Sequence, residues 1–220
     1  MNAPGGIGLE GASMPASPVF ADDFLLALKT LVNVHHSIYP RIPPQGIYFE
    51  SLVEQAFKRV KKPFTTVETT TLNVPEHDLL VEHSRISLKT ETGAGTNRNF
   101  ISITKLCTTE REPWEPEILV QRVKTHLSRY EHILMLRAVW DEPLIHYQLL
   151  EIPVVLLELI QGAELKPVGR REGRRSLAAD VFKEGQKVFR VHFDGADGKC
   201  QVRNLPVAIC HLLQEWDLHL

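Results

Sequence analysis

Asp78-Leu79-Leu80-Val81-Glu82-His83-Ser84-Arg85-Ile86-Ser87-Leu88-Lys89-Thr90-Glu91 is the stretch on which the fold turns. Leu79, Leu80 and Val81 make a short apolar run, the pattern of a buried strand. Ile86 and Leu88 then alternate with Ser87, Lys89 and Glu91, the period of two expected of a half-buried strand. His83-Ser84 reads as the reversal between them. With residue 82 facing 85, each step outward adds one residue on both sides, and Asp78 comes to lie opposite Lys89. Glu82 then faces Arg85 as a favourable cross-strand charge pair. Ser87, Lys89 and Glu91 share one face of their strand. A carboxylate and a lysine fixed on neighbouring strands, with a second acid close by, can bind a divalent metal and activate water against a phosphodiester.

The chain around this hairpin has 220 residues, enough for one sizeable core. Its 43% hydrophobic and 24% charged content excludes a disordered chain. The net charge of −2 provides no global basic field, which counts against a non-specific DNA coater. It leaves room for an enzyme that keeps its basic groups in one cleft. Cys107, Cys200 and Cys210 are odd in number and lack zinc-site spacing, so they read as reduced thiols of a cytoplasmic protein. No apolar run approaches the ~20 residues of a membrane span. Residues 1–18, rich in glycine and proline, read as a flexible tail without the pattern of a secretory signal.

Upstream of the hairpin, Asp22-Asp23 opens an apolar-periodic helix to about Val34. That helix suits a dimer surface or simply the core. A second helix spans about Ile47 to Val60, with Leu52, Val53, Ala56, Phe57 and Val60 as its buried stripe. Glu54 sits at the edge of that stripe, where it can pair with Lys58 one turn on. Thr65 to Asn73 reads as an edge strand ended by Pro75.

Downstream, Gly93-Ala94-Gly95 lacks the third glycine and the following helix of a dinucleotide loop. The polar residues Asn97, Arg98 and Asn99 suit contacts to base edges or phosphates, and equally suit a solvated turn. Phe100 to Leu106 alternates as a strand, Glu115 to Glu131 is a helix, and 133–139 and 144–150 are two strands joined by a short turn. A short helix from Pro153 precedes the basic, glycine-bearing run 169–175. A hairpin then turns at 194–198, and Ile209, Leu212, Leu213 and Trp216 predict a closing amphipathic helix. The whole predicts an α/β fold: a mixed central sheet flanked by helices, with a C-terminal hairpin and helix, as one domain over 19–220.

At Asp78 and Lys89 the hairpin resembles the PD-(D/E)xK core shared by restriction endonucleases. Collinear strings from about residue 47 onward resemble the SmaI-type enzymes more closely. They are Leu52-Val-Glu-Gln-Ala-Phe57, His77-Asp78, Leu88-Lys-Thr-Glu91, Tyr130-Glu131, Tyr147-Gln-Leu-Leu-Glu-Ile-Pro153 and Phe193-Asp-Gly195. The resemblance implies a restriction-endonuclease-like core and a Mg²⁺-dependent type II restriction enzyme. Such an enzyme would act as a homodimer on a short G·C-rich palindrome such as CCCGGG, with a cognate DNA methyltransferase as genetic partner.

By the same resemblance Asp78 is the first acid of the motif and Lys89 its lysine. Ser87 stands where the second acid is normal, two residues before the lysine. Glu91 on the hairpin and Glu54 on the preceding helix are the candidates to replace it. The metal ligands implied are Asp78, the Leu88 carbonyl, and Glu91 or Glu54. Reading guanine needs placed arginines, and the candidates are Arg98, Arg170, Arg171, Arg174, Arg175 and Arg203. The run at 170–175 could equally be a solvated loop that only neutralises phosphate. Two alternatives stay open: a repair or structure-specific nuclease on the same core, and a non-catalytic DNA-binding protein with a degenerate site.

Overall fold

The computed structural model describes residues 17–66, 78–109, 113–169 and 174–220. The central hairpin forms from β2 (Leu79–Val81) and β3 (Ser84–Glu91). Its register differs from the expectation. Val81 pairs with Ser84, Leu80 with Arg85 and Leu79 with Ile86, so the reversal is Glu82-His83. Glu82 takes φ 56°, as the first position of a tight hairpin turn of the primed type requires. Asp78 donates its amide to the Ile86 carbonyl at 2.9 Å and therefore lies beside Ser87, not Lys89.

Outside partners account for the shift. The Arg85 guanidinium forks onto Glu131, which also accepts the Arg85 amide at 2.7 Å. Glu82 is left 3.9 Å from Lys62. A slip of two residues preserves which side chains share a face. Ser87, Lys89 and Glu91 thus stay together, as expected.

Two helices precede the hairpin, α1 (Asp22–Ile38) and α2 (Ile47–Arg59), followed by the short strand β1 (Phe64–Thr66). After it come β4 (Phe100–Thr108), α3 (Pro116–Leu127), β5 (His132–Asp141), β6 (Leu144–Pro153) and α4 (Val154–Glu158). The chain then runs through β7 (Lys166–Val168), β8 (Ser176–Lys183), β9 (Gln186–Phe193), β10 (Lys199–Pro206) and β11 (His211–His219). The central sheet has the order β1-β2-β3-β5-β6-β11, with β3 and β5 parallel. The fold is the expected mixed α/β arrangement.

Strand alternation splits the core in two. Leu134, Leu136, Ala138, Tyr147 and Leu149 face α1 and α2, which bury Phe24, Leu28, Val53 and Phe57 against them. Ile133, Met135, Leu150 and Ile152 face the other way, onto α3 and a second sheet. That sheet, β4-β10-β9-β8-β7, is antiparallel and larger than the attached hairpin the sequence suggests. Helix α1 contributes mainly to the core, while Leu26, Val34 and Ile38 remain exposed.

The chain does not end in a helix. Residues 211–219 form β11, paired antiparallel with β6. The cause of the misreading is a bulge: Leu212 pairs with Leu150 and Gln214 with Leu149, so Leu213 is inserted. One extra residue breaks the period of two and leaves apolar positions at 209, 212, 213 and 216, which imitate a helical stripe. The expected tail at 1–18 lies outside the described residues except for Ser17 and Pro18, as do Arg170, Arg171 and most of the strand expected at 65–73. Ser17 donates its amide to Glu151 at 2.9 Å.

Gly195 lies in the β9–β10 turn, where the string Phe193-Asp-Gly195 reads as turn chemistry. A Cβ there would meet the Arg174 carbonyl oxygen at 2.2 Å and the Arg175 and Ser176 backbone at 2.9 Å. The contacted atoms are main chain and cannot swing aside. Gly195→Ala should therefore lower stability by the upper end of the ~1–3 kcal/mol typical of overpacking. A denaturant midpoint shift with unchanged slope would register it, and a midpoint equal to wild type would show that the turn yields.

Candidate active site

Three side chains of the hairpin form a chain of hydrogen bonds. Lys89 donates from Nζ to Ser87 Oγ at 2.8 Å and to the Leu88 carbonyl at 3.1 Å. Ser87 Oγ donates to Asp78 Oδ2 at 3.1 Å, and the same oxygen accepts the Leu88 amide at 2.5 Å. Asp78 and Lys89 are thus joined through Ser87, the residue that stands in the second acid's usual place. Burial pushes the Lys89 ammonium below its ordinary value, and the Asp78 and Glu50 carboxylates act against that shift.

Glu50, which the sequence reading did not name, is a further acid near this chain of bonds. It lies in the first turn of α2, half-buried, and its carboxyl is raised above the ordinary range. Burial is the largest cause, the charge of Asp78 adds to it, and Lys89 opposes it. Two carboxylates and an ammonium therefore share one field. The available signal was helical spacing: Glu50 precedes Glu54 by one turn and lies on the same face.

The other two acids named from sequence are placed differently. Glu54 sits 3.8 Å from Lys58 as the i,i+4 pair, and reaches the site by raising Glu50. Glu91 faces the same side of β3 as Lys89, but both its oxygens are engaged. Oε2 accepts Arg137 Nε at 2.7 Å, and Oε1 accepts the Ser102 amide at 2.9 Å. Burial raises its carboxyl, and Arg137 and Ser102 pull it back.

The DNA-contact candidates among the described residues each have local partners of their own. Asn97 Oδ1 accepts the amides of Asn99 and Phe100 at 2.8 and 3.1 Å, which folds the loop on itself. Arg98 is exposed, 3.6 Å from Asp141. Arg174 lies 4.2 Å over the Trp114 ring and donates to the Gly195 carbonyl at 3.0 Å. Arg175 donates to the Gly169 carbonyl at 3.0 Å, and Arg203 to Gln201 Oε1 at 2.6 Å. Among the described residues no three carboxylate, imidazole or thiol groups converge as a ready-made metal cage.

A family model described as SmaI, type II site-specific deoxyribonuclease, matches residues 9–218. The type II restriction enzyme SmaI of Serratia marcescens is 31% identical over 150 residues, 66% of this chain and 61% of that protein. The match thus spans less than two thirds of the relative's length. No solved structure matches. With nearly the whole chain inside the family model, it belongs to the SmaI family of type II site-specific deoxyribonucleases.

Proposed function

We propose that this chain is a type II restriction endonuclease. It hydrolyses phosphodiester bonds of double-stranded DNA at a short G·C-rich palindrome of the CCCGGG kind. It uses Mg²⁺, works as a homodimer in the cytoplasm, and is partnered genetically by a cognate DNA methyltransferase. The observation that carries the reading is the Lys89–Ser87–Asp78 chain with Glu50 in its field, in a member of this family. Among the described residues no helix is long and apolar enough to cross a membrane.

The residues fit a hard divalent ion. Glu50 lies near enough to Asp78 for that charge to add to the burial that raises its carboxyl, and a divalent cation held by the two would offset both effects. Asp78, Glu50 and the Leu88 carbonyl are the proposed ligands. All are oxygens, and a short set leaves room for the waters and phosphate oxygens that Mg²⁺ prefers to keep. Such an ion, when bound, supplies a water of lowered pKa and neutralises charge on the phosphate.

The remaining chemistry is the protein's own. Lys89 orients the attacking water and stabilises charge growing on the phosphoryl oxygens. Ser87 fixes the ammonium beside Asp78 without adding a third negative charge. Glu91 is tied to Arg137 and Ser102, so we assign it to support rather than ligation. Asn97, Arg98, Asn99, Arg170, Arg171, Arg174, Arg175 and Arg203 remain the pool for DNA contacts. Arg98 and Asn99 extend from a loop that follows the catalytic strand directly.

The test is incubation of the purified protein with a sequenced plasmid, with Mg²⁺ and with EDTA, followed by sequencing of the fragment ends. The expected result is discrete fragments whose ends share one G·C-rich palindrome, with no cutting in EDTA. Cleavage only at mismatches or junctions would replace restriction with a structure-specific role. Binding without cleavage in Mg²⁺ or Mn²⁺ would leave a non-catalytic DNA-binding protein.

A further inference from the structure

Glu91, Arg137 and Gln148 form a row across the central sheet. Glu91 is the register partner of Arg137, and Arg137 that of Gln148. Arg137 interrupts the apolar run of β5 and its side chain is 0% exposed. A buried guanidinium is costly unless its donors are matched. Here they are matched by four acceptors. Nε donates to Glu91 at 2.7 Å, Nη1 to Gln148 Oε1 at 2.6 Å, and Nη2 to the Phe100 carbonyl at 2.7 Å and to the Asn97 carbonyl.

The acceptors are unevenly distributed. One is the Asn97 carbonyl of the β3–β4 connection, the next is the carbonyl of Phe100, where that connection enters β4, and a third is Glu91, two residues beyond Lys89. Further bonds hold the same segment. Trp140 Nε1 donates to the Thr92 carbonyl at 3.0 Å, and the Val207 amide to the Asn99 carbonyl at 2.9 Å. The segment carrying Asn97, Arg98 and Asn99 is therefore held from below while its polar side chains stay exposed.

We infer that Arg137 is a positioning residue for specificity: it fixes the 97–99 loop relative to Lys89, so that the loop reads DNA in a set geometry from the cutting site. This rests on the nuclease reading above. An apolar core would serve stability as well as a buried ion pair. What an apolar residue could not do is hold a loop carbonyl, the first carbonyl of β4 and the end of the catalytic strand at one point.

The test uses Arg137→Lys, which keeps the charge but cannot fork to four acceptors. Two quantities are read: hydrogen exchange of amides 93–99 without DNA, and kcat/KM on the wild-type site against sites changed at one base pair. The expected result is at least about tenfold faster exchange in the loop. Discrimination should fall at least about tenfold, with cleavage of the altered sites kept within about threefold. A folded variant with unchanged loop exchange overturns the proposal, and so does a loosened loop with intact discrimination. Equal loss at every site also overturns it, because that marks a general structural role. Should Arg137→Lys fail to fold, Gln148→Met removes the Nη1 acceptor at similar volume and is read by the same criteria with a smaller effect. The exchange arm needs no cleavage. Fast loop exchange in the variant beside a wild type that cuts no DNA therefore refutes the nuclease reading, and with it the specificity role, while leaving the anchoring measured.

Discussion

Lys89→Ala should yield a folded protein that still binds its DNA site and cleaves it at least about 100- to 1,000-fold more slowly, the loss typical when a transition-state donor is removed. The fold should survive because Lys89 does not hold it together. Burial pushes its ammonium below the ordinary value, so the charged form is less favourable in the folded chain than in the unfolded one. Removing it relieves that penalty and exposes Asp78 and Glu50 to less compensation, two effects of opposite sign. Binding should persist because one phosphate contact among many is lost, which lowers the salt slope by about one. The measurements are single-turnover cleavage and a gel-shift titration in Ca²⁺. Wild-type cleavage by the variant would remove Lys89 from the chemistry. Loss of binding in step with cleavage would make it a DNA contact only.

The hairpin was legible in sequence because two periodic signals sit next to each other. Its register was not. A turn at His83-Ser84 and one at Glu82-His83 satisfy the same alternation, and the choice rests on Glu131, which is 46 residues from Arg85. The same limit hid Glu50. Helical spacing could pair it with Glu54, but not tell which of the two the strand bearing Asp78 would meet. Arg137 went unremarked inside an apolar strand, and its four acceptors come from three separate segments. The end of the chain failed for a local reason, since one bulged residue turned a strand's alternation into an apparent helical stripe. Apart from that closing strand the main element types were readable, whereas contacts across the sheet needed the tertiary structure. The Asp78–Lys89 relation survived its wrong derivation because Ser87 bridges a gap that direct opposition was meant to close.

Glu50 and Glu54 should part company when each is changed to glutamine. Glu50→Gln is expected to lower cleavage at least about 100-fold, whereas Glu54→Gln, which breaks a partly exposed helical pair of a few tenths of a kcal/mol, should stay within about threefold. Stability should move the other way. The Glu50 carboxyl is raised in the folded chain, so the native state holds its proton at pH values where the unfolded chain, near 4.5, has lost it. Stability from this group therefore falls as pH rises from 4.5 through the raised value, and the ionised carboxylate is a liability at neutral pH. Glu50→Gln removes that liability, so without metal the variant should melt above wild type at pH 7–8 and lose the advantage below pH 4.5. Added Mg²⁺ should raise the wild-type melting temperature, since an ion bound only by the native state stabilises it by mass action. Glu50→Gln should blunt that rise, and Glu54→Gln should keep it. Full activity and a full Mg²⁺ shift in Glu50→Gln would remove Glu50 from the metal site. The same losses in Glu54→Gln instead would put the ligand one helical turn away.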